Sequence, residues 1–133
     1  MPTVEENKAV VRREIEELHN FTGNLDTAEE IFAPNYVGHE PTTGDVRGIE
    51  GGKQFAATFR RVFPDLESTV EDLVGEGDEV VARFGTWGTH QGESEAIGPP
   101  TGKRIEITGI TIKRFSDGKI VDSTHWAWCS SSD

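Results

Sequence analysis

The sequence predicts an α+β fold: about three N-terminal helices packed on one face of a curved antiparallel sheet, with a pocket inside. Three observations predict it. Helical periodicity is confined to residues 4–63, strand-forming composition dominates residues 80–128, and glycine- and proline-containing turns separate the strand segments. Segments 80–93, 103–115 and 119–128 are rich in β-branched and aromatic residues, as strands are. Ser116-Asp117-Gly118 supplies the short glycine-containing loop of a hairpin. Between the first two segments, residues 96–102 include Gly98, Pro99, Pro100 and Gly102 and are expected to be a loop, since proline lacks a donor and glycine permits positive φ. With few helices to fill the inner face of such a sheet, a cavity is expected.

Taken in order, residues 4–21 form an amphipathic pattern with Val11, Ile15, Leu18 and Phe21 on one stripe and Arg12, Arg13, Glu14 and Glu17 on other faces. Gly23 suits a left-handed helix end. A shorter helix follows, with Asp26 as N-cap, Glu29 three residues on, Ala28, Ile31 and Phe32 as its apolar side, and Pro34 as its stop. Residues 36–41 read as a short strand leading into a loop at 41–48. A third helix spans roughly 49–63, its stripe of Phe55, Phe59, Val62 and Phe63 expected to be buried, with Phe55 and Phe59 also walling a ligand cavity. Residues 66–74 alternate as a strand, and residues 75–78 turn into the next one. On the strand at 103–115, alternation places Ile105, Ile107, Gly109 and Thr111 inside and Ile110 and Ile112 outside. The exposed isoleucines predict a homodimer.

Length and composition set the bounds. At 133 residues the chain is expected to form one domain, 1–133. No apolar run approaches the ~20 residues of a membrane span, and residues 1–6 show no basic-then-apolar leader, so a cytoplasmic protein is expected. The net charge of −11 argues against nucleic acid and anionic membranes as partners. The acidic surface with five lysines suits either a high-salt cytoplasm or ordinary solvation. A single cysteine, Cys129, excludes an internal disulfide and a cysteine-based zinc site. No phosphate-binding glycine loop and no Gly-x-Ser-x-Gly elbow is present, and His19, His39, His90 and His125 show no metal-ligand spacing. No metal is therefore expected.

The chemistry that remains is acid/base chemistry. On the last strand, Val121, Ser123, His125 and Ala127 alternate with Asp122, Thr124, Trp126 and Trp128, and which set faces inward is open. A bulge could bring Asp122 beside His125 to orient its imidazole. His39 and His90 lie on or next to strands, and with Trp87, Trp126 and Trp128 they could line a polar patch in an apolar pocket.

Several segments together resemble the SnoaL-like polyketide cyclase (ester cyclase) family of the nuclear transport factor 2-like superfamily. They are residues 32–39, 47–51, 63–66 and 88–93, then 98–103 (Gly-Pro-Pro-Thr-Gly-Lys) and 114–122, with its Asp-Gly-Lys-Ile-Val-Asp run. They occur in the family's order over roughly residues 8–126. The resemblance implies a cone-shaped fold with a deep apolar pocket and dimerisation through the sheets. It implies ring closure by intramolecular aldol condensation of a polyketide ester without metal or cofactor. The cyclases' catalytic aspartate falls at His125, their pocket histidine near Thr111 and the neighbouring glutamine near Gly109, so that trio is replaced here.

The expected function is cofactor-free acid/base chemistry on a small hydrophobic carbonyl or ester compound. His125 and Asp122 are the expected catalytic residues, and His39, His90, Trp87, Phe55, Phe59, Thr111 and Trp126 the expected substrate contacts. The alternatives are a non-catalytic binder of a small apolar ligand and a structural dimerisation module.

Overall fold

The computed structural model describes residues 2–20, 23–40, 44–92 and 100–132, the stretch 128–132 by its main chain alone. Phe21, the Trp128 side chain and most of the loop expected at 96–102 lie outside the described residues. Helix α1 (Val4–Arg13) opens on a capping box: Glu6 N–H donates to Thr3 Oγ1 at 3.1 Å, and Thr3 N–H donates to the Glu6 carboxylate at 3.0 Å. It runs into a π-helical turn, Glu14–Leu18. Gly23 does not take the left-handed conformation expected of it. It is needed for space instead, because a Cβ there would fall 1.5 Å from the Glu17 carbonyl oxygen.

Helix α2 (Thr27–Ile31) follows Asp26, which holds the N-cap position without a side-chain capping bond. Strand β1 (Phe32–His39) starts at once, so Phe32 belongs to the strand, not to the helix that Pro34 was expected to stop. A two-residue strand, β2 (Val46–Arg47), stands where a loop was expected, and helix α3 (Gly48–Val62) follows. Four long strands complete the chain: β3 (Glu67–Glu76), β4 (Glu79–Thr89), β5 (Arg104–Ser116) and β6 (Lys119–Ser132). The expected α+β class holds, with three helices on a curved, unclosed six-stranded sheet.

The sheet order is β2-β1-β6-β5-β4-β3. All pairs are antiparallel except β1 with β6, which is parallel and departs from the all-antiparallel expectation. Between Ser116 and its partner Lys119, Asp117 and Gly118 have φ of 52° and 79°. Two consecutive positive φ values make the type I′ turn whose twist matches its flanking strands. Strand alternation on β5 falls as read from the sequence: Gly109 and Thr111 are buried, Ile105 and Ile107 are half-buried, and Ile110 is exposed. Two apolar clusters form the core. Val11, Leu18, Ile31, Ala56, Val80, Ala82 and Ile120 belong to the larger, and Val62, Phe63 and Leu66 to the smaller. Among the described residues no helix is long and apolar enough to cross a membrane.

Candidate functional site

Residues from both clusters line a cavity of about 510 Å³ between the helices and the concave face of the sheet. Its wall is mostly apolar: Phe55, Phe59 and Phe63 from α3 and the residue after it, Phe84 from β4, and Ile105 and Ile107 from β5. The three phenylalanines form a chain of contacts with ring centroids 5.0 and 6.0 Å apart. Phe55 and Phe59 are half-buried, not fully buried as expected, because part of each ring faces the open cavity. Gly109 makes room for one of these walls, since a Cβ there would meet the Phe84 ring at 2.5 Å.

Among the described residues, polar groups enter this wall at several places, and three of these bear most on its chemistry. On β6, His125 faces the cavity, and its Nε2 lies 2.6 Å from Glu40 Oε2. Glu40 lies just past the end of β1, and its side chain is 10% exposed. The parallel register explains the meeting: His39 of β1 aligns with Thr124 of β6, so the residue after each falls side by side. Sequence reasoning missed Glu40. The signal was the alternation Tyr36, Gly38, Glu40, which puts all three on the cavity side.

The second place is a buried ion pair. Lys113 Nζ on β5 donates to Glu14 Oε2 at 3.0 Å and to Ser123 Oγ at 2.9 Å. The two charged side chains are 6% and 4% exposed. Burial holds the Tyr36 phenol well above its ordinary pKa, so it stays protonated. Glu14 was expected on a polar face, but it sits on the packed side of the π-helical turn, a deviation that often marks functional positions.

The third is His90, 3% exposed, whose Nδ1 lies 3.3 Å from Thr101 Oγ1 and whose Nε2 has no hydrogen-bond partner. Thr111 lines the cavity as expected and donates to the Thr124 carbonyl at 3.3 Å. Trp126 borders the cavity from its place beside His125, but its side chain, 53% exposed, alternates onto the outer sheet face with Ile110.

Three expected site residues lie elsewhere. Asp122 does not reach His125; it accepts from His39 Nε2 at 3.1 Å and lies 3.7 Å from Arg114. The register of β5 against β6 does shift, but it shifts between Arg114 and Phe115, opposite Val121. Beyond that irregularity Asp122 and His125 alternate onto opposite faces. His39 is exposed between two carboxylates, Asp122 and Asp45, which hold its pKa above the ordinary histidine value, the bond to Asp122 contributing most. Trp87 does not line the cavity; it alternates onto the face opposite Thr86 and His90 and pairs with Glu67 and Glu106.

His19, not among the expected site residues, also lines the cavity and meets the Phe55 ring edge-on at 6.1 Å. Desolvation lowers its pKa to about 4, against a partial restoring effect of Glu14. Between pH 4 and 6.5 the unfolded chain therefore binds a proton at His19 that the folded chain does not, so stability falls as pH drops through that window. The full effect is on the order of 3 kcal/mol. Urea unfolding at pH 7 and pH 4.5 should show this loss, and His19→Gln should remove most of it. An equal loss in the variant would assign the acid sensitivity to other groups.

A curved, unclosed sheet closed over by three helices around an apolar cavity defines the nuclear transport factor 2-like class. Within that class, the family model for SnoaL-like polyketide cyclase matches residues 9–130, and the chain belongs to that family. A candidate SnoaL-like polyketide cyclase from Jannaschia sp. CCS1 superposes with a TM-score of 0.85 at 26% identity, over 96% of this chain and 88% of that one. IdmH, a candidate polyketide cyclase from Streptomyces antibioticus, gives a TM-score of 0.72 at 32% identity, over 95% and 92% of the two chains. A Catenulispora acidiphila protein with a ketosteroid isomerase-like fold, solved with trimethylamine, shares the fold alone: TM-score 0.70, 17% identity, 93% and 86% coverage. No curated protein matches the sequence.

Proposed function

We propose that this protein performs cofactor-free acid/base chemistry on a small hydrophobic carbonyl or ester compound, in the manner of a polyketide cyclase. The observation that carries the proposal is the His125–Glu40 contact of 2.6 Å in the wall of a mostly apolar cavity. A carboxylate 2.6 Å from Nε2 can only accept, so it favours the tautomer protonated there, with Nδ1 as the basic nitrogen. Nδ1 removes a proton from the carbon next to a carbonyl, and the C–H electrons become the enolate. The enolate carbon bonds to a second carbonyl carbon of the same molecule, and the resulting alkoxide takes the proton back from the imidazolium. No electron is lost or gained, so no redox partner is required. Family membership and the likeness to IdmH support the reaction class.

The test is solvent exchange. Enolisable β-keto esters of cavity size, incubated with the protein in deuterated buffer, should lose their α-proton signal faster than in buffer alone. Compounds that bind but exchange no faster would replace this reading with the second one, a non-catalytic binder. The apolar aromatic lining from Phe55 to Phe63 suits such a binder equally well.

The proposal sets this chemistry in the cytoplasm and in a homodimer. Val81, Ile110 and Trp126 are exposed on the outer sheet face, with Ile110 paired to Trp126 in register. A second sheet covering them would remove an apolar patch from water. Light scattering should give a dimer mass at high micromolar concentration. A monomer mass there would rule the dimer out.

A further inference from the structure

Glu14 Oε1 is buried in the cavity wall without a hydrogen-bond partner. It lies 3.0 Å from Lys113 Nζ, yet the lysine's bonds go to Oε2 and to Ser123. An ammonium has three donors, so one remains. The ion pair thus offers the cavity one unused acceptor and one unused donor on adjacent atoms. Leaving such groups unmet in a desolvated wall is costly, and a ligand that meets both recovers that cost. A hydroxyl group does so, donating its own hydrogen to Oε1 while its oxygen accepts from Nζ; a ketone can only accept, and an ether likewise.

We infer that Glu14 and Lys113 form a second ligand subsite, specific for a hydroxyl-bearing group: an alcohol, an enol or a phenol. Its position is set by the sheet. Lys113 pairs with Ser123 and Thr111 with His125, so the subsite lies two strand residues from the histidine. Two residues of strand span roughly 6.6 Å. The ligand class is therefore an apolar compound with a hydroxyl about that far from the carbon presented to His125. The inference deepens the proposed function and rests on its cavity, but the subsite can be read by binding alone.

The probes are 2-naphthol and 2-methoxynaphthalene, titrated by calorimetry or by NMR line shape. The wild type should bind 2-naphthol roughly 10–100-fold more tightly, the effect of a hydrogen bond to a charged group. The double variant Glu14→Leu/Lys113→Met should bind both within about twofold of each other. The near-isosteric Glu14→Gln should weaken 2-naphthol and spare the ether, which keeps the test available if the double variant fails to fold. His125→Gln should keep the full preference. Equal binding of both probes by the wild type, or an undiminished preference in the double variant, would overturn the subsite while leaving the chemistry at His125 standing. Loss of the preference in His125→Gln would move the hydroxyl to the histidine and overturn it too. Binding of neither probe would remove the cavity reading and the subsite with it.

Discussion

His125→Gln is expected to lower turnover by roughly 10²–10⁴-fold once a substrate is in hand, the usual contribution of a positioned general acid or base. Glutamine can still donate to Glu40 but cannot titrate, so the cavity should persist while proton transfer is lost. Glu40→Gln should also lower turnover, because the carboxylate 2.6 Å from Nε2 sets the tautomer and steadies the imidazolium as it forms. Asp122→Asn provides the contrast. Its carboxylate is bonded to His39 outside the cavity, so turnover should stay within about twofold of the wild type, as for surface changes remote from a site. Rates measured across pH 5–9 for all three variants would separate these roles. Full activity in His125→Gln would take the histidine out of the mechanism and leave Glu40 as the proton carrier.

What was legible in the sequence was local. The Asp117-Gly118 turn announces itself because two consecutive positive φ values demand those residue types, and from it the alternation of β5 follows in both directions. What was not legible depended on distant pairing. Nothing in residues 36–40 says that their strand lies parallel to residues 120–124, so the partner of His125 could not be found locally. Asp122 was misplaced for a related reason: the register irregularity sits opposite Val121, too early to join it to His125. The ion pair was hidden by charge. Glu14 falls three residues after Val11, inside the apolar stripe, and Lys113 continues the inward set from Gly109 and Thr111. Both positions read as buried by period and as exposed by residue type. Period prevailed because each residue satisfies the other.

That mutual dependence sets the largest stability effect. Lys113→Met should destabilise the fold by ~3–5 kcal/mol, because it leaves the Glu14 carboxylate buried without its counter-charge. Glu14→Leu should act in the same direction, stranding the ammonium with Ser123 as its remaining partner. A domain of ordinary stability holds about 5–15 kcal/mol in all, so either change takes a large share. Glu14→Leu/Lys113→Met removes both charges and refills the space, and it should recover most of the loss or exceed the wild type, since Coulomb attraction seldom outweighs the desolvation of two ions. Urea unfolding of the four proteins gives the cycle, with an unchanged slope showing that the unfolded states are alike. The cavity beside the pair works against the effect, because water there can solvate a stranded charge. A cost below about 1 kcal/mol for Lys113→Met would mean that such solvation is complete. The pair would then be tied to ligand recognition and not to the stability of the fold.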